Sequence, residues 1–357
     1  MHILVITPGF PGDENDTNCI PPMQEYFHNL VEVYPTVKIT VVSIHYPYKN
    51  SVYIWKNVKV YSCGCRSAGQ PKRIFYWLRA INYARIINKK DKIDIIHSFW
   101  LTDAALIGTF LSKLFNVRHI NTMMGQDVKQ ENNYLKLLPL NNIIKVAVSE
   151  FQSKVFCKST GKNSDYIIPW GLESVYYGNN KRNIDLIGVG ALIPVKNFKF
   201  FIEIITELKK YYPAVNCLLI GDGIEKHEIE FFIKQNNLKE NVSLTGHIPR
   251  EEVLKYMKRS KVLLHTSGFE SFGYVIAEAL ASGCYVVCKN VGCATGSGKI
   301  VMADNIYEFT SAVSNILDNK ADYRPELLYP LHDTVSSYMN LYGKIFSSLP
   351  QNNKLAV

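Results

Sequence analysis

Several features that would place a chain in a specialised class are missing from these 357 residues. No apolar run reaches the ~18 residues that a membrane-spanning helix needs. The N-terminal MHILVIT lacks the basic lead and long apolar core of a signal peptide, so it predicts a first strand. Among eight cysteines only Cys63 and Cys65 stand close together, without the Cys-x2-Cys repeats or paired histidines of a zinc site. We therefore expect reduced thiols in a cytosolic protein.

The amino-acid composition is that of an ordinary globular protein. Its net charge, however, is unevenly distributed along the chain. Hydrophobic residues make up 47% and charged residues 20%, and the length favours two domains. Of the net charge of +9, residues 1–167 carry +8 (20 basic and 12 acidic residues) and residues 168–357 carry +1 (20 basic and 19 acidic). The excess of positive charge in the first half therefore influences which molecules that half can bind.

Short apolar runs alternate with helical patterns along the first half. The predicted strands are His2–Thr7, Lys38–Ile44, Val58–Ser62, Ile93–His97, Arg118–Thr122, Lys145–Val148 and Asp165–Ile168, and the predicted helices are Met23–Tyr34, Lys72–Asn88, Asp103–Phe115 and Glu150–Ser159. Such alternation predicts an α/β fold with a mostly parallel, doubly wound sheet. Ligands of these sheets bind at the carboxyl ends of the strands, so the loops at that edge are the candidate sites.

Residues 262–292 show this strand, loop, helix, strand order most clearly. Val262–His265 and Tyr285–Cys288 predict buried strands, and Tyr274–Ala281 predicts the helix between them, which Gly283 ends. The loop that leads into the helix, residues 266–273, is rich in small residues. By the rule for parallel sheets, this loop lies where a ligand would bind.

Two carboxylates mark the stretch: Glu270 in the loop, and Glu278 eight residues later in the helix. Gly273 lies between them and lets the backbone approach a ligand, and the helix N-terminus offers N–H groups to an anion. This arrangement suits a sugar nucleotide, whose hydroxyls would donate to the carboxylates. Each acid alone also fits an ordinary exposed position. With FG between them and ALASG after them, the pair resembles the E-x7-E signature of retaining glycosyltransferases of family 4, which have the GT-B fold.

The resemblance implies two Rossmann-like domains that face each other across a cleft. The segment IIPWGLE, with Pro169 and Gly171, resembles the crossing point between them. The first domain is therefore expected at residues 1–168, joined by a returning C-terminal helix at 333–348, and the second at residues 169–330. In this family the first domain binds the acceptor and the second binds the nucleotide sugar.

The resemblance also implies roles in the second domain. Glu278 would accept hydrogen bonds from the ribose hydroxyls, Glu270 would contact the transferred sugar, and Lys196 would bind the diphosphate. The family usually places an arginine where this chain has Ala191, so one of two cations is missing. The implied catalytic residues are Glu270 and Lys196, and the substrate-binding loop adds Ser271, Phe272 and Gly273.

Candidate residues in the first domain follow three predicted strands. Gly9 belongs to the loop after the first strand, and His97 in DIIHSFW and Gly125 and Asp127 in TMMGQDV resemble stretches that face the cleft in family 4. The family usually has a histidine before the glycine of the last motif, where this chain has Met124, whose thioether donates no hydrogen bond. Structural alternatives stay open: a strand-end histidine bonded to backbone, and an aspartate that caps a turn.

The implied function is that of a hexosyltransferase. It would move a sugar from a nucleotide-sugar donor to a carbohydrate or lipid-linked acceptor with retention, in polysaccharide or glycoconjugate synthesis. No Asp-x-Asp motif is present to hold a divalent ion, so metal independence is expected, with no cofactor beyond the donor. Two alternatives remain. One is a non-catalytic GT-B protein that binds a nucleotide sugar or lipid carrier, suggested by Ala191 and Met124; the other is a dinucleotide-dependent oxidoreductase, which would need a G-x-G-x-x-G after the first strand.

Residues 70–92 form a basic and aromatic helical pattern with two interpretations. Its cations lie mainly outside the apolar stripe of Ile74, Trp77, Leu78, Ile81 and Ala84. The stripe could face the core, leaving a solvated basic face. Alternatively, the helix contacts anionic lipid headgroups or an acidic, lipid-linked acceptor, and the protein is cytoplasmic and peripheral on the inner face of a membrane. Nucleic acid is not an expected partner, because no binding module accompanies the charge.

Overall fold

The computed structural model describes residues 1–17, 19–65, 70–173 and 181–348. It divides the chain into two compact units, the first formed by Met1–Glu173 and Leu331–Val357 and the second by Ser174–Pro330. The chain thus leaves the first unit after Glu173 and returns to it at Leu331, near the expected limits at residues 168 and 333. Among the described helices, none is both long and apolar enough to cross a membrane.

The two units alternate strands and helices. The strands are β1 (His2–Gly9), β2 (Lys38–Tyr46), β3 (Ser51–Trp55), β4 (Val58–Ser62), β5 (Ile95–Phe99), β6 (Arg118–Thr122), β7 (Ile144–Ala147), β8 (Tyr166–Ile167), β9 (Ile184–Val189), β10 (Cys217–Ile220), β11 (Val242–Leu244), β12 (Ser260–His265), β13 (Tyr285–Cys288) and β14 (Ile300–Met302). The helices are α1 (Pro21–Val33), α2 (Gln70–Lys90), α3 (Asp103–Phe115), α4 (Glu150–Thr160), α5 (Phe198–Tyr211), α6 (Lys226–Gln235), α7 (Arg250–Lys258), α8 (Tyr274–Ala281), α9 (Ile306–Asp318) and α10 (Leu331–Ser347).

The sheet of the first unit has the order β3-β4-β2-β1-β5-β6-β7-β8 and is parallel except for β3, which pairs antiparallel with β4. The central β1 is buried along nearly its whole length, as its run of Ile, Leu and Val predicts. Strand β3 was not predicted from the sequence. A tight turn joins β3 to β4 through Lys56 and Asn57, both at positive φ (40° and 66°), without the Asn-Gly signal that marks such a hairpin in sequence.

The last helix, α10, packs on the first unit through buried tyrosines. Tyr342 Oη lies 2.9 Å from Tyr26 Oη of α1, and Tyr338 Oη lies 2.8 Å from Thr122 Oγ1 at the end of β6. Thr334 Oγ1 donates to the carbonyl of Pro169 (2.8 Å). These polar contacts inside an apolar interface fix the position of the helix on the sheet.

Helix α2 buries only part of the apolar stripe described from the sequence. Ala80, Ala84 and Ile87 are its buried residues, whereas Ile74 and Leu78 are 54% and 56% exposed. The interpretation that the stripe faces the core thus holds for Ala84, Trp77 and Ile81 but not for Ile74 and Leu78. The helix carries apolar residues on more than one face, and the small alanines allow close packing, so tertiary contacts rather than periodicity select the buried face.

The second unit contains a parallel sheet with the order β11-β10-β9-β12-β13-β14. Its core lies between this sheet and helices that include α5, α6 and α9. The predicted bounds of α8 and β13 agree with the structure. The three-residue edge strand β14 was missed, because so short a segment carries no readable alternation.

Candidate functional site

An acid, a lysine and a histidine meet at the carboxyl edge of the second sheet. Glu270 Oε1 accepts a hydrogen bond from Lys196 Nζ at 2.5 Å and lies 3.1 Å from Nε2 of His265, the last residue of β12. The side chains of Glu270 and Lys196 are only 13% and 19% exposed. The two residues predicted to be catalytic, 74 positions apart in sequence, thus form a largely buried ion pair.

This environment fixes the charge of Glu270. Burial alone would favour the neutral acid, but the hydrogen bond from His265 and the positive charge of Lys196 outweigh burial and lower the pKa of Glu270 to about 2. The carboxylate is therefore ionised at neutral pH and acts only as an acceptor. It is suited to receive hydroxyl donors, and it is unsuited to act as a general acid.

Hydrogen bonds between two loops hold Lys196 in place. Thr266 Oγ1 donates to the carbonyl of Lys196 (3.0 Å), and Ser267 Oγ and the N–H of Gly268 both donate to the carbonyl of Val195 (3.1 and 2.9 Å). The loop after β12 is thereby tied to the loop after β9. The small residues that the sequence shows in this loop allow such a close backbone approach.

Glycines shape the start of α8. Gly273 is the N-cap of α8 at φ 79°, ψ 56°, a left-handed conformation that glycine adopts readily, and it brings no side-chain acceptor to the helix terminus. Gly292 has φ 59°, and a Cβ atom there would overlap the carbonyl oxygen of Phe272. The N–H of Cys293 donates to that same oxygen (2.6 Å). The loops after β12 and β13 therefore meet at a helix terminus that favours an anion.

The second acid of the motif, Glu278, lies inside α8 and is buried. Its Oε1 accepts a hydrogen bond from Arg250 Nε of α7 at 2.6 Å, and the Arg250 guanidinium lies 5.4 Å from the ring centre of Tyr274. Glu278 is therefore an oriented acceptor within the helix whose N-terminus Gly273 opens. Each acid of the motif has its own cation.

The two residues that orient these acids were not predicted from the sequence. His265 ends a strand that was predicted, and its place directly before the candidate loop was a usable signal. No sequence signal marks Arg250, because it belongs to another helix, 28 residues away from Glu278. Only the fold brings these two residues together.

His97 of the first unit lies in the interior. Its side chain is fully buried, with Nδ1 2.7 Å from Tyr342 Oη and Nε2 2.8 Å from Thr122 Oγ1. Burial lowers the pKa of His97 well below its usual value, so the ring is neutral. Nδ1 thus joins β5 to α10 and Nε2 bonds within the sheet, and the substrate contact predicted for His97 stays a prediction.

Asp127 is a turn-capping residue, one of the alternatives left open. Its carboxylate accepts hydrogen bonds from the N–H groups of Leu101 (2.7 Å), Gly125 (2.6 Å) and Met124 (3.4 Å). The side chain is buried, and the predicted contact of Asp127 with substrate stays a prediction. The predicted contacts of Gly125 and of Gly9, the last residue of β1, stay predictions.

Two family models match this chain. "Glycosyl transferase 4-like" matches residues 28–159 and "Glycosyl transferases group 1" matches residues 174–316, together more than half of the sequence. The chain belongs to the group 1, family 4-type glycosyltransferases.

Curated relatives of this glycosyltransferase chain are distant. The uncharacterized glycosyltransferase MJ1178 of Methanocaldococcus jannaschii is 28% identical over 236 residues, 64% of each chain. The phosphatidylinositol N-acetylglucosaminyltransferase gpi3 subunit of Schizosaccharomyces pombe is 23% identical over 292 residues, 81% of this chain and 59% of the relative. The chain thus spans about three fifths of the length of these relatives.

Solved structures establish the fold. Sucrose-phosphate synthase from Thermosynechococcus elongatus matches with a TM-score of 0.77 at 15% identity, over 98% of this chain and 100% of that one. HepE of Anabaena, in complex with UDP and glucose, matches with a TM-score of 0.67 at 16% identity, over 97% and 95% of the two chains. The fold is GT-B, built from two Rossmann-like domains.

Proposed function

We propose that the protein transfers a hexose from a nucleotide-sugar donor to a saccharide or lipid-linked acceptor, with retention of configuration and without a metal ion, in polysaccharide or glycoconjugate synthesis. The observation that carries this proposal is the buried cluster of Lys196, Glu270 and His265 beside the helix terminus at Gly273. A cation, an ionised acceptor and an anion-favouring terminus at one sheet edge match the parts of a nucleotide sugar.

The second unit would bind the donor. Glu278 would accept hydrogen bonds from ribose hydroxyls, and Lys196 together with the N-terminal N–H groups of α8 would hold the diphosphate. HepE, which shares the fold, is solved with UDP, so a UDP-sugar is the donor proposed first. The ionised Glu270 would accept hydrogen bonds from hydroxyls of the transferred sugar.

In the proposed reaction the bond between the anomeric carbon and the diphosphate oxygen breaks, and a bond to the acceptor oxygen forms on the same face. The departing diphosphate oxygen takes the acceptor proton, so no protein base is required. Lys196 would stabilise the negative charge that develops on the leaving group. To do so, it must share its charge between Glu270 and the diphosphate.

A membrane surface is the proposed setting of this reaction, with the protein peripheral on the cytoplasmic face. Ile74, Phe75 and Leu78 are 54%, 68% and 56% exposed on α2. The same helix has no acid and six cations: Lys72, Arg73, Arg79, Arg85, Lys89 and Lys90. Exposed apolar groups next to cations fit an anionic lipid surface.

Vesicle sedimentation tests this contact. Vesicles with phosphatidylglycerol should carry the protein down at low salt, and pure phosphatidylcholine vesicles should not. Phe75→Glu should release it, whereas Tyr307→Glu, which changes an equally exposed ring in the second unit, should not. Equal sedimentation of all three proteins would refute the role of α2.

Thermal-shift screening with UDP-glucose, UDP-N-acetylglucosamine, GDP-mannose and related donors tests the function. A donor that binds only the native state raises the apparent melting temperature. Incubation with that donor should then give transfer or slow hydrolysis, and NMR of the anomeric proton should show retention. If no nucleotide sugar shifts the melting temperature, the proposal is wrong.

A non-catalytic nucleotide-sugar or lipid-carrier binding protein is the second candidate. Ala191 and Met124 favour it, because both stand where the family usually has a polar side chain. Donor binding without any transfer or hydrolysis would support this candidate. Measurable turnover of the donor would exclude it.

A further inference from the structure

A groove in the first unit lies between the N-terminal half of α2 and residues 131–137. It encloses about 500 Å³. The residues that matter for its chemistry are Arg73, Ile74, Trp77, Glu131, Tyr134 and Leu137. None of them belongs to the donor site proposed above.

The topology places this groove at the functional edge of the sheet. Helix α2 begins after the carboxyl end of β4, and residues 131–137 follow the carboxyl end of β6. Both strands run parallel to β1 in the same sheet. Doubly wound sheets bind ligands at this edge, so the groove occupies the expected place for a substrate.

One wall of the groove is fixed by a buried carboxylate. Trp77 Nε1 donates to Asp103 Oδ2 at 3.2 Å, and His45 Nε2 lies 2.9 Å from the same oxygen. Burial opposes the charge of Asp103, but the hydrogen bonds from His45 and Trp77 outweigh it and lower the pKa of Asp103. The indole is therefore held in one orientation and presents a rigid apolar surface.

The opposite wall is also held in place. Asn132 Nδ2 donates to the carbonyls of Leu101 (2.8 Å) and Asp127 (2.6 Å), and Asn132 Oδ1 accepts from the N–H of Tyr134 (3.1 Å). Asp127 in turn caps the turn that precedes this segment. The groove is preformed, and Asn132 and Asp127 are positioning residues of its wall.

The lining of the groove is amphipathic. Ile74 and Leu137 are 54% and 66% exposed, an unusual exposure for large apolar side chains on facing walls. Arg73 Nη1 lies 3.5 Å from Tyr134 Oη, so a cation and a hydroxyl stand together. A carboxylate, Glu131, also lines the groove, and it would repel an anion.

We propose that this groove is the acceptor subsite and that it binds a lipid phosphate, with the alkyl or isoprenoid chain on Ile74, Trp77 and Leu137 and the phosphate on Arg73 and Tyr134. Charge complementarity favours this occupant over a neutral saccharide, because Arg73 places a cation beside the Tyr134 hydroxyl within the lining. Ile74 belongs both to the groove and to the exposed face of α2, so a lipid in the membrane surface reaches the groove without leaving an apolar environment. The inference rests on the proposed function, and it names the acceptor class.

Calorimetry with dodecyl phosphate, below its micelle concentration, tests the subsite on the full chain. Wild-type protein should bind dodecyl phosphate at least tenfold more tightly than dodecyl maltoside or inorganic phosphate. Arg73→Gln should weaken binding about tenfold, as expected for a lost charge-assisted hydrogen bond. Leu137→Ser should weaken it several-fold, and Glu131→Gln should strengthen it by removing the repulsive charge.

Arg85→Gln is the matched control, because it removes an equal charge from the exposed part of α2, outside the residues that line the groove. It should leave the affinity unchanged. Equal weakening by Arg73→Gln and Arg85→Gln would mean general attraction to the helix and would overturn the subsite. Equal binding of dodecyl maltoside and dodecyl phosphate would overturn phosphate recognition.

A parallel titration with UDP separates this inference from the proposed function. UDP affinity should be the same in wild type and in every groove variant. Absence of UDP binding by the wild type would count against the proposed function, and the dodecyl phosphate series would still decide whether the groove binds a lipid phosphate. Normal UDP binding with no dodecyl phosphate binding would overturn the groove alone.

Discussion

Replacing Glu270 with glutamine removes the negative charge that faces Lys196 and His265 but keeps the shape of the side chain. The ordinary pKa of this carboxyl, 4.5, is lowered to about 2 in the folded protein. That difference corresponds to about 3 kcal/mol of favourable interaction with the ionised form. Both partners are less than one fifth exposed, so solvent screens the pair weakly. We expect Glu270→Gln to lower the free energy of unfolding by about 2–3 kcal/mol at pH 7.

The pH dependence of this loss follows from the direction of the pKa change. A carboxyl whose pKa is lowered by folding contributes its full stability above pH 4.5 and loses it as the pH falls towards 2. The difference between wild type and Glu270→Gln should therefore be constant from pH 7 to about 5 and should shrink below 4.5. Urea unfolding at each pH measures it, provided that the slope with urea is the same for both proteins.

Glu252→Gln on α7 is the matched control. The Lys255–Glu252 pair has a similar length, 2.6 Å, but its side chains are 65% and 47% exposed. Loss of this ion pair should leave the free energy of unfolding unchanged, because solvent-exposed ion pairs contribute little to stability. If both variants lose the same stability, or if the loss in Glu270→Gln does not shrink in acid, the reasoning from burial is wrong.

The same variant separates the roles of the cation and the acid in the proposed reaction. With Glu270 neutralised, the charge of Lys196 is no longer compensated at 2.5 Å and is available to the diphosphate. UDP affinity should rise about three- to tenfold, about 0.7–1.4 kcal/mol, while kcat falls because the neutral amide oxygen of glutamine is a weaker acceptor of sugar hydroxyls than the carboxylate. A fall in both UDP affinity and kcat would contradict this assignment.

Three further results are expected. Glu278→Ala should weaken UDP binding by about 1–3 kcal/mol, because buried hydrogen-bond partners lose their acceptor; unchanged affinity in calorimetry would refute the ribose role. Turnover should survive EDTA, and full loss restored by manganese would refute metal independence. Burial lowers the pKa of His119 from 6.5 to about 3, so neutral His119 stabilises the fold above pH 6.5, and stability falls by up to about 1.4 kcal/mol per pH unit between 6.5 and 3. His119→Gln should flatten that acid dependence in urea unfolding, and an unchanged slope would contradict it.

Local pattern predicted the elements around the donor loop. The bounds of α8 and β13 could be read because an apolar helix is followed by Gly283 and a short β-branched run. The spacing of Glu270 and Glu278 predicted one acid in the loop before the helix and one inside the helix. These features depend on neighbours within a few residues in sequence.

Features that depend on distant contacts escaped prediction. Arg250 reaches Glu278 from another helix, and α10 covers His97 with Tyr342, 245 positions later. The buried face of α2 could be read only in part for the same reason: Ala84 of the stripe is buried, but Ala80 and Ile87 outside the stripe are buried as well. Sequence spacing fixes which side chains share a helix face, and tertiary packing decides which face is covered.

The paired charges of the second unit also indicate the order in which the diphosphate and the sugar of the donor are recognised. Each acid of the motif already has a cation, Lys196 for Glu270 and Arg250 for Glu278, so the isolated unit holds no strong unpaired charge among these four groups. Under the proposed function, a free sugar gains little from Lys196, because the lysine stays with Glu270. A diphosphate competes for the lysine with greater charge and thereby exposes Glu270 to the sugar hydroxyls. Nucleotide binding would then prepare the sugar contact, and sugars without a diphosphate would be rejected by the ion pair itself.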